Sequence, residues 1–342
     1  MAPRILVFGV GGVGAVYTWV LSRAIPESNI VAVCRSNYEV ASQSGFTINS
    51  TIWGSDLHVR PQVVHSVWEA AAESQSQPFD YIVVTSKALR TSPSTAEIIR
   101  PAITPGKTAV VLMQNGIGIE EEYASLYAGD DVPILSTVVY LPATQTAPAT
   151  VQHKVIEHLH VGTYPASGVP ETHKRAAQAF VDLLKTAGAT ATLHDDVQAQ
   201  RWGKLLVNGS WNPICALTRL RDVQFMRSGG GKHGGAKENE ENEAVQLVRD
   251  VMLEIASVAQ ACGYKDVDEK LIDFQLGRAT SRDLPGIQLS MLADALDMKS
   301  MEVDAIIGNI VRIAREKKVP IPILRTIYLL AQGLNASFSL AK

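Results

Sequence analysis

Six residues near the start of the chain, Gly9-Val10-Gly11-Gly12-Val13-Gly14, have the types and spacing to hold a diphosphate. They follow the apolar run ILVF and open a stretch of helical character, the context in which a GxGxxG pattern is informative. Gly9 permits a tight turn, Gly11 lets the backbone approach a pyrophosphate, and Gly14 lets helix and strand pack closely. The helix start then turns its unpaired amides and positive dipole toward the anion. The competing reading is a glycine-rich turn with no ligand. Arg35 ends the next apolar run, VAVC, and is followed by Ser36 and Asn37, with no acid before Glu39. NAD enzymes commonly place Asp or Glu here for the ribose 2′-hydroxyl, whereas a guanidinium suits a 2′-phosphate. The residue types therefore point to NADP(H), against the plainer reading of a solvated surface arginine.

Two further candidates end apolar runs. Lys87 follows YIVVTS and could hold a phosphate or carboxylate; Asn115 follows VVLMQ and could orient a ribose or carbonyl. Each is equally compatible with ordinary turn chemistry. The segment RWGKLLVNGSWNP, residues 201–213, carries Lys204, Asn208 and Asn212 at i, i+4 and i+8. On a helix these share one face, a polar stripe in an apolar segment. Burying such groups without partners costs several kcal/mol. They should face partners or a ligand, because Trp202, Trp211 and the small Gly209 argue against a fully solvated face.

The elements that must position these residues follow from hydrophobic pattern. Arg4–Phe8, Ile30–Cys34, Tyr81–Thr85, Ala109–Met113 and Ile134–Tyr140 are short apolar runs without polar alternation, as in parallel strands covered on both faces. Helical stretches lie between them (Gly14–Ala24, Val67–Ser74, Thr95–Ile99), which argues for an α/β, doubly wound Rossmann sheet. Thr150–Val161 alternates and reads as an antiparallel hairpin on the edge of that sheet, with His153, His158 and His160 on an exposed face. From about His173 the period changes to that of helices: Lys174–Ala187, Asp196–Ala216, Ala244–Cys262, Leu289–Asp297, Met301–Lys317 and Ile321–Leu334. Gly162–Pro170 and Ala187–Asp195 are the expected connections. The expectation is a nucleotide-binding domain over residues 1–187 and an all-helical substrate and catalytic domain over 188–342. A flexible glycine-rich loop is expected near 228–242.

Length and composition agree with two domains. The chain has 342 residues, 46% hydrophobic and 19% charged, against roughly 150 residues per domain. Lys plus Arg (31) and Asp plus Glu (34) leave a net charge of −3, so no electrostatic feature calls for nucleic acid. The 3 cysteines, Cys34, Cys215 and Cys262, make neither a disulfide framework nor a CxxC metal pair. No apolar run is long enough to span a membrane, and the N-terminus lacks a basic leader region and a cleavage site. A cytoplasmic protein with no metal is expected.

The chain resembles ketopantoate reductase (2-dehydropantoate 2-reductase) and its relatives over nearly its whole length. The resemblance rests on GVGGVG at Gly9–Gly14, TSKA with Lys87, QNGIG with Asn115, WGKLLVNGSWNP, and the block LSMLADALDMKSMEVDAIIGNIVRIAREKKVPIP. It implies NADPH-dependent reduction of a 2-oxo acid to the 2-hydroxy acid. It further implies Lys204 as general acid, with Glu302 as its acidic neighbour and a cofactor contact. Asn208, Asn212 and Ser290 would contact substrate, Asn115 would touch substrate and cofactor, and Lys87 would lie close to both. Lysine, with an ordinary pKa of about 10.4, carries the needed proton at neutral pH, and Glu302 would favour that charged form. Fold analogy favours a homodimer.

Two positions depart from the family pattern. Ile287 and Asp222 stand where pocket asparagines are expected. An apolar side chain and an acid there remove polar contacts, and the acid would repel a carboxylate. The altered pocket admits a reductase of larger, apolar ketones or specialised metabolites. A non-catalytic NADP(H)-binding sensor is the reading from another class; it needs the glycine turn and Arg35 but no proton donor.

Overall fold

The apolar runs of the first half become strands because a short Val/Ile/Leu segment buried on both faces satisfies its backbone only in a ladder. The computed structural model describes residues 2–74, 77–229 and 242–340. The strands are β1 (Ile5–Phe8), β2 (Ile30–Val33), β3 (Phe46–Ser50), β4 (Gly54–Val59), β5 (Gln62–Val64), β6 (Tyr81–Val84), β7 (Ala109–Leu112), β8 (Ile134–Tyr140), β9 (Ala143–Ala147), β10 (Thr150–His153), β11 (His158–Tyr164) and β12 (Ala191–Leu193). Eight of them form one sheet in the order β12-β11-β8-β7-β6-β1-β2-β5. The pairs β1–β2, β1–β6, β6–β7, β7–β8 and β2–β5 are parallel. The chain order reverses at β1, the switch point where open α/β sheets bind ligands. Alternate residues face opposite layers: Ile5 and Val7 join a core with Val16, Val20, Phe180 and Leu184, and Leu6 joins another with Ala70, Ile99 and Tyr123.

The helices of this first unit are α1 (Gly12–Ser22), α2 (Tyr38–Ser44), α3 (Val67–Ser74), α4 (Thr95–Ile99), α5 (Glu120–Leu126) and α6 (Glu171–Thr186). The doubly wound α/β architecture is as expected. The hairpin is not. β10 leaves for a separate four-stranded sheet of order β4-β3-β10-β9, where it runs parallel to β3 and antiparallel to β9. β11 does join the main sheet, antiparallel to β8 and inside β12. The histidines are accordingly not a solvated face. His153 is buried and held between Ser50 Oγ and the Ile156 carbonyl, each at 2.9 Å. His160 is half-buried and shares a 2.8 Å hydrogen bond with His194.

The expected division at 187/188 lies elsewhere. The first unit comprises Met1–Asn115 and Ile119–Val197, and the second Gly116–Gly118 and Gln198–Lys342. The reason is β12, which extends the main sheet through residues expected to be a linker. The second unit holds α7 (Gln198–Thr218), α8 (Asp222–Ser228), α9 (Glu243–Ala261), α10 (Glu269–Thr280), α11 (Ser290–Leu296), α12 (Asn309–Lys317) and α13 (Pro322–Leu340). The single helix expected over Met301–Lys317 is instead a π-helical turn, Asp304–Gly308, running into α12. Trp202, Leu206, Val248, Ile255, Ile307 and Ile310 centre its core. The apolar residues of α12 and α13 mostly pack inward, and Leu329 and Leu330 stay exposed. The expected flexible loop falls largely on 230–241, outside the described residues. Cys34 and Cys215 are free and buried. Among the described residues, no helix is long and apolar enough to cross a membrane, and no group of three or more His, Cys, Asp or Glu could hold a metal ion.

Candidate active site

In the first unit the candidate residues collect at the carboxyl ends of parallel strands. Gly9 follows β1 with φ +82°, and a Cβ there would come within 2.5 Å of Ser86. Gly14 faces Thr85, whose Oγ1 would sit 2.5 Å from an added Cβ. Around Gly11 the space is open, with nothing within 4 Å of a would-be Cβ. Of the glycines in this turn, Gly9, Gly12 and Gly14 are thus required by the protein's own packing, and the room beside Gly11 fits a phosphate group seated at the start of α1. Gly12 owes its type to β9, because its Cβ would lie 2.8 Å from the Ala143 carbonyl oxygen. Val10 is buried and Val13 half-buried, both packed in the core beneath α1.

A residue with no assigned role in the sequence reading braces this turn. Asn37 is buried and donates from Nδ2 to the Val10 carbonyl at 2.8 Å. Its Oδ1 accepts from Gln145 Nε2 at 2.9 Å and from the Ala149 amide at 3.2 Å. Arg35 is exposed beyond β2, and the Tyr38 ring stacks on His65 with centroids 3.3 Å apart. Lys87 is exposed after β6, and Asn115 is half-buried after β7.

In the second unit, α7 carries the polar stripe as the spacing required. Trp202, Leu205, Leu206 and Trp211 are buried in the core, Lys204 and Asn208 are half-buried, and Asn212 is buried. Arg201, one turn before Lys204, is 3% exposed and donates from a terminal guanidinium nitrogen to the Gly116 carbonyl at 2.9 Å. The Gly116–Gly118 segment is held twice more: the Ile117 amide donates to the Ala305 carbonyl at 3.1 Å, and Asn309 Nδ2 donates to the Ile117 carbonyl at 2.6 Å. Gly116 has φ +105° with the Ala305 carbonyl against it, so glycine is required. Glu302 is buried just ahead of the π-helical turn.

These charges decide the state of Lys204. Burial is the largest influence and lowers its pKa, the Arg201 guanidinium lowers it further, and Glu302 opposes both; the outcome is about 8. The sequence reading had only Glu302 acting on the ammonium. Desolvation and the neighbouring guanidinium outweigh that carboxylate. At pH 7 the protonated form still leads by about tenfold, and the amine is a far stronger acid than an ordinary lysine.

Asn212 and Ser290 come together at the start of α11. Asn212 Oδ1 accepts from the Met291 amide at 3.2 Å and from Ser290 Oγ at 3.3 Å, so this amide oxygen is committed to the helix start while Ser290 is exposed. The two departures from the family pattern prove to be partners. Asp222 is 1% exposed, pairs with Arg282, and accepts from the backbone amides of Ile287 at 2.7 Å and Val223 at 2.8 Å. Its charge is matched by a guanidinium and spent on holding the 282–287 loop, which corrects the expectation that it would repel a carboxylate. Gly286, φ +79°, is glycine because a Cβ would run into that carboxylate. The Ile287 side chain is 42% exposed.

Comparison with known proteins follows this division of labour. The family model described as ketopantoate reductase PanE/ApbA matches residues 5–166, and that for the ketopantoate reductase PanE/ApbA C terminal matches residues 196–335. An uncharacterized protein of Saccharomyces cerevisiae is 29% identical over 95% of this chain and 91% of its own length. A 2-dehydropantoate 2-reductase of Nostoc sp. is 24% identical over 94% of this chain and 92% of its own. Among solved structures, the 2-dehydropantoate 2-reductase from Methylococcus capsulatus superposes with a TM-score of 0.79 at 29% identity, covering 98% of each chain.

Proposed function

This chain belongs to the ketopantoate reductase family, and on that premise we propose that it is an NADPH-dependent reductase of a 2-oxo acid with Lys204 as proton donor. Membership makes it an oxidoreductase acting on a CH–OH group with a nicotinamide cofactor. The observation that carries the finer reading is the half-buried Lys204, one turn from Asn208 on a core helix and made acidic by its surroundings. A non-catalytic nucleotide sensor has no use for such an amine.

Gly9 to Gly14 and the α1 amides would hold the diphosphate, Arg35 the 2′-phosphate, and Lys87 and Asn115 the part nearer the nicotinamide. When bound, NADPH supplies the hydride that adds to the carbonyl carbon. Lys204 Nζ hydrogen-bonds the carbonyl oxygen, stabilises the negative charge that grows there, and donates its proton to give the hydroxyl. The neutral amine left behind regains a proton from water. Glu302 holds charge balance around the ammonium. Asn208 and Ser290 orient the substrate's polar groups, and Asn212 serves them by fixing the start of α11.

The substrate class is a small 2-oxo acid, with ketopantoate the named candidate. A second reading, a bulkier apolar 2-oxo acid, is favoured by the exposed side chains of Ile287 and Leu284 in the loop leading to Ser290. Assaying NADPH oxidation against 2-oxo acids of graded size separates the two. Absence of turnover with every one of them would overturn the reductase reading.

The sign of the pH dependence follows from the donor's role. Reduction uses the protonated amine, so its rate should be highest below pH 8 and fall about tenfold per unit above it. Oxidation of the hydroxy acid uses the neutral amine and should rise through the same range. Rates parallel in both directions would argue against Lys204. For the cofactor, Arg35→Ala should weaken NADPH binding by about tenfold or more, with NADH binding little changed and the difference shrinking at high salt. Fluorescence titration of both nucleotides checks this; equal losses for the two would remove Arg35 as the 2′-phosphate contact.

A further inference from the structure

We propose that Arg201 is a positioning residue for the reduction: from one turn before Lys204 it clamps the Gly116 carbonyl and sets a fixed positive charge beside the proton donor. The proposal rests on Lys204 being that donor. No spacing pattern in the chain assigns Arg201 a role.

Three observations converge on it. Arg201 is 3% exposed, an unusual place for a guanidinium unless its charge is used or matched. Its hydrogen bond to Gly116 joins those from Asn309 and to Ala305 in holding the short segment that follows Asn115. Its place at i−3 from Lys204 puts the two cations on neighbouring positions of one helix, where like charges disfavour one another. Arginine stays charged throughout the working range, so the lysine alone yields.

The charges acting on the amine are Arg201 from α7 itself and Glu302 from the residues just ahead of the π-helical turn. The next acid, Asp304, is turned to Tyr328 Oη at 2.8 Å and Gln332 Nε2 at 3.2 Å. The Gly116–Gly118 segment brings no titratable side chain. Arg201 and Glu302 therefore pull in opposite directions on one proton. Arginine, not lysine, suits the task because its planar fork can bond the carbonyl and keep its charge fixed in place.

The test is the pH profile of hydride transfer in wild type, Arg201→Met, Arg201→Lys and Glu302→Gln, with competitive chemical labelling of the lysine amines as an independent reading of the Lys204 titration. Arg201→Met fills the volume without the charge, and its alkaline midpoint should move up by about half a pH unit or more. Glu302→Gln should move it down. Arg201→Lys keeps a charge and should hold the midpoint near the wild-type value while losing the Gly116 bond. A slower Arg201→Met enzyme with an unmoved midpoint, or a midpoint moved down, would reduce Arg201 to a structural residue. Should that variant fail to fold, a large midpoint shift in Arg201→Lys would overturn the proposal just as well. If Lys204→Ala keeps the wild-type alkaline limb, the failure lies with the donor assignment instead.

Discussion

Lys204→Ala is expected to slow reduction by about 10²- to 10⁴-fold while NADPH still binds, because the glycine turn and Arg35 belong to the first unit and the amine to the second. Two contributions vanish together. The growing alkoxide loses the ammonium that stabilises it, and it loses its source of a proton. Lys204→Arg separates them, since arginine restores positive charge but does not release a proton at working pH. Single-turnover NADPH oxidation and a nucleotide fluorescence titration on each variant are the measurements. Wild-type rates in the alanine variant would end the case for Lys204, and loss of nucleotide binding would point to a folding defect.

Asp222→Ala should be the most damaging change outside the chemistry. The carboxylate is 1% exposed and pairs with Arg282, and it also receives the Ile287 and Val223 amides. Removing it leaves a partly buried guanidinium and two amides without their acceptor. Breaking such a pair from one side costs about 3–5 kcal/mol. Urea unfolding should show a lower midpoint, and the released 282–287 loop should raise KM more than it lowers kcat. Asp222→Asn keeps an acceptor for the amides and should lose less. An alanine variant as stable as wild type would mean that the loop does not depend on this carboxylate.

What could be read from the sequence was what is local. The strands of the parallel sheet are continuous apolar runs, and the glycine turn announces itself within six residues. Lys204 and Asn208 share a face because helical spacing makes them do so. The second sheet escaped because β3, β4 and β9 are short and largely polar, and β10 finds a parallel partner in β3, far back in the chain. The same physics hid parts of the site. Arg201 stood in plain view three residues before Lys204, but its partner carbonyl is 85 residues away. Asp222 and Arg282 are separated by 60 residues with no pattern linking them. The acidity of Lys204 depends on burial, which no spacing rule encodes.

The brace on the glycine turn spans distant parts of the chain. Gly12 rests on Ala143, and Asn37 reaches the turn while tied to Gln145 and Ala149. In a nascent chain the glycine motif is complete more than a hundred codons before the scaffold that shapes it has been translated. The turn therefore reaches its shape late in synthesis, and a prematurely terminated product lacking that scaffold carries the motif without its finished form.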